Sequence, residues 1–370
     1  MAISPLQPQS FSRRILTWFR RHARSVPWRD DRDPYRIWIS EVMLQQTQMA
    51  TVIPYFDRFL RRFPTLTELA QADEQEVLRL WEGLGYYRRA RALSQSARLL
   101  QEAGHETVPD DPDLVGSLPG FGRYTVNAVL SQAYDRRLPI LEANSERVLC
   151  RLYGIQQNPR DSAVRAQLWK LAESLLPKKS AGDFNQALME LGALVCTPAQ
   201  PNCSACPLRV HCQAKAQSRQ HEIPLRAKST ATVAVDEVAI VVQKRGGVLL
   251  VQRSDEGRWA GMWEFPHHPL EERESHEAAA GRLLAALGLE CDQLSPLALI
   301  QHSVTRFRIS MTCLQARYRR GVVQTPGYQN FAWVYADELP NYPLSAAQRR
   351  LARCLTQSGR VPMRSPKTNG

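Results

Sequence analysis

Leu118-Pro119-Gly120-Phe121-Gly122-Arg123-Tyr124 interrupts a long run of helical periodicity, and the fold of the N-terminal half turns on how it is read. Proline and two glycines force a tight turn. Glycine lets a ligand backbone come close, and the amides opening the next helix can hold a phosphate without reading a base. Gly120, Gly122 and Arg123 are therefore candidate nucleic-acid contacts. Taken alone, the turn equally suits a corner between two helices closed by a glycine cap. Around it, apolar residues recur at helical spacing over 13–24, 34–48, 52–63, 74–80, 88–102, 124–134 and 183–196. In the last of these Phe184, Leu188, Leu191 and Val195 line one face, so residues 1–212 are expected to be all-α.

The texture then changes. Residues 213–232 are polar, basic and poor in large apolar side chains, as befits an interdomain linker. Strand-like runs follow at 233–242, 248–252, 307–315 and 332–335, with Arg245-Gly246-Gly247 as a hairpin turn and one helix over 274–287. The second domain, 233–356, is thus expected to be α+β, and 357–370 a disordered tail.

Composition narrows the class further. The 370 residues are 44% hydrophobic and 23% charged, as in a soluble globular protein. No apolar run approaches the roughly 20 residues of a membrane span, and residues 1–14 lack the apolar core of a secretory signal. A cytoplasmic, nucleoid-associated location is the expectation. The net charge of +12, divided evenly about residue 225, favours a polyanionic partner that both halves face.

Four of the eight cysteines, Cys196, Cys203, Cys206 and Cys212, follow the spacing C-x6-C-x2-C-x5-C. Four thiolates around a short loop suit an iron–sulfur cluster or zinc. A single C-x2-C pair favours a 4Fe–4S cluster, since structural zinc usually takes two. Without a secretory signal, disulfides are disfavoured. Cys150, Cys291, Cys313 and Cys354 are scattered and read as packed thiols.

Together, the turn at 118–124 and the cysteine spacing some 70 residues later resemble the helix–hairpin–helix DNA glycosylases of the endonuclease III superfamily. Pro27-Trp28-Arg29, the segment from Trp38 to Thr47 (WISEVMLQQT) and Gly83-Leu84-Gly85-Tyr86-Tyr87-Arg88 are similar to the adenine DNA glycosylase (MutY) family within it. The resemblance implies a monomeric enzyme that removes adenine mispaired with 8-oxoguanine or guanine in double-stranded DNA, with a 4Fe–4S cluster on the four cysteines. Glu41, set among Ile37, Ile39, Val42 and Met43, would protonate N7 of the extruded adenine. A carboxyl raised in pKa by burial can donate a proton at neutral pH; a solvent-facing helical glutamate cannot. The family's second carboxylate lies in a D-G-N-V segment, but this chain reads Leu141-Glu142-Ala143-Asn144-Ser145-Glu146. Glu142 would then stabilise the cation or trap it covalently, one methylene longer than the family's aspartate, and Asn144 matches the family's asparagine. Tyr124 stands where bifunctional relatives carry a lysine; a phenol forms no Schiff base, so strand cleavage is not expected. Gln45, Gln46 and Tyr86 match residues that fill the stack vacated by the base.

Residues 236–355 resemble a Nudix domain. On alignment at Gly288-Leu289, the metal-binding glutamates are replaced by Arg273, Arg282, Ala285 and Ala286, which excludes nucleotide hydrolysis. In this family such a domain reads 8-oxoguanine. Thr305, Arg306 and Arg308 occupy its recognition loop, although an H-x-F-S-H pattern is absent.

Overall fold

The protein is described by a computed structural model over residues 7–225 and 231–357. It packs as two units, Met1–Gln71 with Gln95–Ser229, and Ala72–Ser94 with Thr230–Gly370. Among the described residues twelve α-helices precede the sheet: α1 (Pro8–His22), α2 (Pro34–Leu44), α3 (Met49–Arg62), α4 (Leu66–Gln71), α5 (Glu74–Trp81), α6 (Arg88–Glu102), α7 (Pro112–Ser117), α8 (Arg123–Tyr134), α9 (Ala143–Tyr153), α10 (Ser162–Leu175), α11 (Ala181–Leu194) and the one-turn α12 (Gln213–Ala216).

Local chemistry fixes the ends that matter. Proline opens α2 while Asp33 accepts from the amides of Tyr35 and Arg36, the arrangement of a helix N-cap. Asp111 does the same for α7, and Gly154 closes α9 in the left-handed conformation (φ +65°). In the first unit Phe11, Ile15, Leu149, Leu168, Phe184, Leu188 and Leu191 form a core in which α11 is central. The turn at 118–124 does join two helices, α7 and α8.

Two expectations about organisation change. Residues 213–225 are not a free linker: Ala214 and Ile223 are buried in the first unit's core, which draws α12 onto that unit. Residues 226–230 and the tail beyond 357 lie outside the described residues. Nor does 1–212 pack as one block. Ala72–Ser94 belongs to the second unit, held there by Trp263 Nε1 donating to Gln75 Oε1 (3.0 Å) and by a two-pronged Arg349–Glu82 pair (2.6 and 2.7 Å).

The second unit is a mixed sheet of β1 (Val233–Lys244), β2 (Gly247–Arg253), β3 (Trp263–Glu264), β4 (His267–Pro269), β5 (Leu289–Val304), β6 (Phe307–Gly321) and β7 (Tyr328–Val334). The order is β3-β2-β1-β6-β5, with β4 on β1 and β7 on β2; only β1 and β6 run parallel among these pairs. Val238, Ile240 and Val242 of β1 face a core with α13 (His276–Ala286), while Ala239 and Val241 face the opposite core with α14 (Ala346–Gln357). Burial on both faces explains the continuous apolar run. Arg245 and Gly246, both at positive φ, make the two-residue β1–β2 turn.

Candidate active site

Helix α2 carries Glu41 into the first unit's interior, where it is 4% exposed. Two residues of α8 meet its carboxylate. Tyr124 Oη donates to Oε2 at 2.7 Å and Gln132 Nε2 donates to Oε1 at 2.6 Å. Eight residues separate the two, a little over two helical turns, so both lie on one face of α8. Burial pushes the Glu41 carboxyl above its ordinary range; the Gln132 and Tyr124 bonds oppose this, and the nearby negative charge of Glu142 adds to it. Burial likewise drives the Tyr124 phenol well above its usual value, reinforced by Glu41.

The chain from α8 returns to the same place at the start of α9. Glu142 is its N-cap, with Oε2 accepting from the Asn144 amide (2.8 Å) and side chain (3.1 Å), and Oε1 from the Ser145 amide (2.7 Å). Its carboxyl is raised by burial and lowered in turn by those amides and by Arg147. Two carboxyls that disfavour each other's ionisation, one buried and one half-buried, allow one to hold a proton while the other is charged. The structure thus brings Glu41, Tyr124, Glu142 and Asn144 to one locus. It also brings Gln132 and Met189, whose sulfur lies 3.4 Å from the Tyr124 hydroxyl. Neither was identified from sequence; the eight-residue spacing from Tyr124 was the available signal for Gln132.

Helix α11 approaches closely enough to fix this locus. A Cβ on Gly192 would lie 2.6 Å from Asn144 Cβ, so that contact demands glycine. Arg147, on α9, donates to Asn144 Oδ1 (2.8 Å), Gly192 O (2.8 Å) and Cys196 O (2.7 Å). Arg151, one turn on, donates to the carbonyls of Cys196, Thr197, Pro198 and Ile223. The four cysteines line one small cavity with Arg151, Arg209 and Lys215, and none of these four is bridged in a disulfide. Among the described residues no three His, Cys, Asp or Glu side chains converge as ligands of a single ion. Burial pushes the Cys206 thiol up to about 12, and the other three thiols add to the shift.

The hairpin is anchored through Phe121, which is buried and stacks on Trp38 of α2 at 5.1 Å. Gly120 holds φ +80°, whereas a Cβ on Gly122 would meet nothing within 4 Å, leaving that backbone open to a ligand. Arg123 is exposed with its guanidinium 4.0 Å over Trp169. Gln45 donates to Thr125 Oγ1 (3.2 Å), beside Tyr124, while Gln46 is exposed in a left-handed conformation.

In the second unit Tyr86 is half exposed, whereas its neighbour Tyr87 is buried. Thr305 and Arg306 form the two-residue turn between β5 and β6; they and Arg308 are exposed. Thr305 takes φ +52°, rare for a β-branched residue, and its hydroxyl donates to Val304 O. Where a Nudix hydrolase holds metal, Arg282 is paired with Glu274 at 2.7 Å. His267 lies between Glu237 (3.0 Å) and Glu264 (3.2 Å). Burial alone would lower its pKa, but these carboxylates hold it up at about 10.

Residues 39–174 match the HhH-GPD superfamily of base excision DNA repair proteins, and 237–353 a NUDIX domain. The chain is 34% identical to the adenine DNA glycosylase of Mus musculus, covering 93% of this chain and 77% of that protein. It is 36% identical to the adenine DNA glycosylase of Buchnera aphidicola subsp. Schizaphis graminum, over 70% and 74% of the two chains. The chain belongs to the adenine DNA glycosylase family. Among solved structures, a thermostable thymine-DNA glycosylase superposes with TM-score 0.52 and 29% identity, covering 57% of this chain and 97% of that one. The glycosylase is therefore a DNA N-glycosylase of base-excision repair, a helix–hairpin–helix domain joined to a Nudix-like one. Among its described residues no helix is long and apolar enough to cross a membrane.

Proposed function

We propose that the enzyme acts as a monomer on double-stranded DNA and excises adenine paired with 8-oxoguanine or guanine, without cutting the strand. The observation that carries the chemistry is the buried Glu41, hydrogen-bonded by Tyr124 and Gln132 beside a charge-coupled Glu142. Glu41 delivers a proton to the leaving adenine, which departs with the bonding electron pair. Glu142 stabilises the oxocarbenium ion left on the sugar until water adds at the same carbon. Asn144 orients Glu142, and Tyr124 keeps Glu41 in register. The open turn at Gly120, Gly122 and Arg123 grips the phosphate backbone; Gln45, Gln46 and Tyr86 occupy the duplex where the base leaves.

Lesion choice is assigned to the β5–β6 tip, where exposed Thr305 offers a hydroxyl and Arg306 and Arg308 offer charge. The test incubates the protein with duplexes carrying 8-oxoguanine:A, G:A and thymine glycol, with and without alkali. Cleavage is expected at A alone and only after alkali; cleavage without alkali would refute monofunctionality. Thr305→Ala should reduce the preference for 8-oxoguanine:A over G:A by about two- to tenfold, the worth of one hydrogen bond. Equal loss on both substrates would remove Thr305 from lesion reading.

Cys196, Cys203, Cys206 and Cys212 would hold a 4Fe–4S cluster. Thiols ringing a cavity suit a multi-atom cluster better than one zinc ion, and Arg151, Arg209 and Lys215 offset the thiolate charge. A cluster bound there would hold in place the loop that carries Arg209. Purified protein should carry about four iron atoms per chain with thiolate-to-iron absorbance, and Cys203→Ser should lower both iron content and melting temperature. One zinc and no iron would refute the assignment.

A further inference from the structure

Glu142 is an unusual helix cap. Short side chains are preferred there, because their oxygen reaches the first-turn amides directly. A glutamate must fold back and fix one more torsion to do the same. Here both carboxylate oxygens make those contacts, and the residue that shares the task is Ser145. It is fully buried. Its Oγ accepts from the Glu142 amide at 2.9 Å and donates to the Glu142 carbonyl at 3.0 Å, while its own amide donates to Oε1 at 2.7 Å. Ser145 therefore holds the backbone of Glu142 at both polar groups and its side chain at one oxygen. The family's D-G-N-V segment has a valine in this place, which has no hydroxyl to offer, and an acid shorter by one methylene.

We propose that Ser145 is a positioning residue that allows a glutamate to serve as the cation-stabilising acid of this site. By clamping the Glu142 backbone against the first turn of α9, it draws the longer side chain back over the helix N-terminus. The carboxylate then sits at the depth a shorter acid reaches. The same bonds favour the charged form. The amides of Asn144 and Ser145 and the Ser145 side chain each lower the Glu142 pKa against the burial that raises it, and the positive end of the helix dipole acts in the same direction. Glu146 and Glu41 also face Glu142 with negative charge, while Arg147 faces it with positive. The clamp thus decides both where the carboxylate stands and the pH above which it is ionised.

This inference rests on the cation-stabilising role proposed for Glu142. Single-turnover adenine excision by the full chain, followed from about pH 4 to pH 9 together with duplex affinity and melting temperature, tests both. Ser145→Ala should slow excision by about ten- to a hundredfold, the scale set by a displacement of about 1 Å. Its acidic limb should move to higher pH, with duplex affinity unchanged. Ser145→Thr, which keeps the hydroxyl, should retain the wild-type limb. Glu142→Asp combined with Ser145→Val should recover most of the rate lost in Ser145→Ala, because a shorter acid needs no clamp. Unchanged rate and limb in Ser145→Ala would overturn the proposal. So would a slowed variant with a lower melting temperature, an unmoved limb and no recovery in the double variant, which marks a packing role. Glu142→Gln separates the two readings. Full excision by that variant removes the role of Glu142 and the clamp with it, whereas loss of excision with an indifferent Ser145→Ala removes the clamp alone.

Discussion

Glu41→Gln is expected to lower single-turnover adenine excision by about 10²–10⁴-fold, the usual contribution of a positioned general acid, with duplex affinity little changed. The amide keeps the volume of the carboxyl and still accepts from Tyr124 or Gln132, so the fold has no reason to respond. What it lacks is a transferable proton. The pH dependence carries the sign. Burial raises the folded pKa of Glu41, so the acid is protonated below that value and the rate falls as pH rises through it. In its proposed role Glu142 acts in its charged form, so the rate should also fall as pH drops through its pKa. The wild-type profile should therefore be bell-shaped, and Glu41→Gln should lose the alkaline limb along with the rate. A variant that keeps full activity, or keeps the alkaline limb, would show that the proton comes from elsewhere.

Much of this candidate site was legible in the chain itself. Glu41 sits in an otherwise apolar helical segment, a pattern that either wastes a burial or uses it, and the structure shows it buried. The short turn at 118–124 and the cysteine spacing were equally plain, because glycine and cysteine are used where few other residues serve. What was not legible depends on tertiary pairing. Gln132 looks like any helical glutamine until α8 is laid against α2. Ser145 reads as one more polar residue in a segment whose capping bonds form only once the helix exists. The helices Ala143–Tyr153 and Ser162–Leu175 lie in the segment expected to be all-α but were not bounded there, and the strand Leu289–Val304 and the helix Ala346–Gln357 were missed. The strand lies at the sheet edge with three register irregularities, so its side chains alternate too imperfectly for a period of two to emerge. The extension of the second unit to Ala72–Ser94 could not be read from sequence, since it rests on pairs of side chains far apart in the chain, such as Gln75 with Trp263 and Glu82 with Arg349.

Glu190 was likewise hidden, as one charge in the apolar run of α11, and its removal should have the largest effect on stability. It is 1% exposed and accepts a two-pronged pair from Arg24, at 2.8 Å on each oxygen, with Arg29 at 3.3 and 3.4 Å. Burial would raise its pKa, but Arg24 and Arg29 pull it down to about 2. Glu190→Ala leaves two cations facing an interior position without their counter-charge, a change that costs about 3–5 kcal/mol. For a unit of this size the melting temperature should fall by roughly 6–20 °C. The charge itself is testable without mutation. Because the folded pKa lies below the unfolded value of about 4.3, the stabilisation is complete above that value. It disappears as pH falls towards 2, and amounts to about 3 kcal/mol at most. Wild-type protein should therefore lose stability more steeply than Glu190→Gln between about pH 4.3 and 2. Arg24→Ala should cost less, since the Arg24 side chain is 38% exposed and already shares its charge with water. The neighbour of Glu190 on α11 is Met189, whose sulfur touches the Tyr124 hydroxyl, so the same substitution should slow excision in protein that remains folded. Coincident melting curves for Glu190→Ala and wild type at neutral pH would show that α11 is held in place by its apolar face alone.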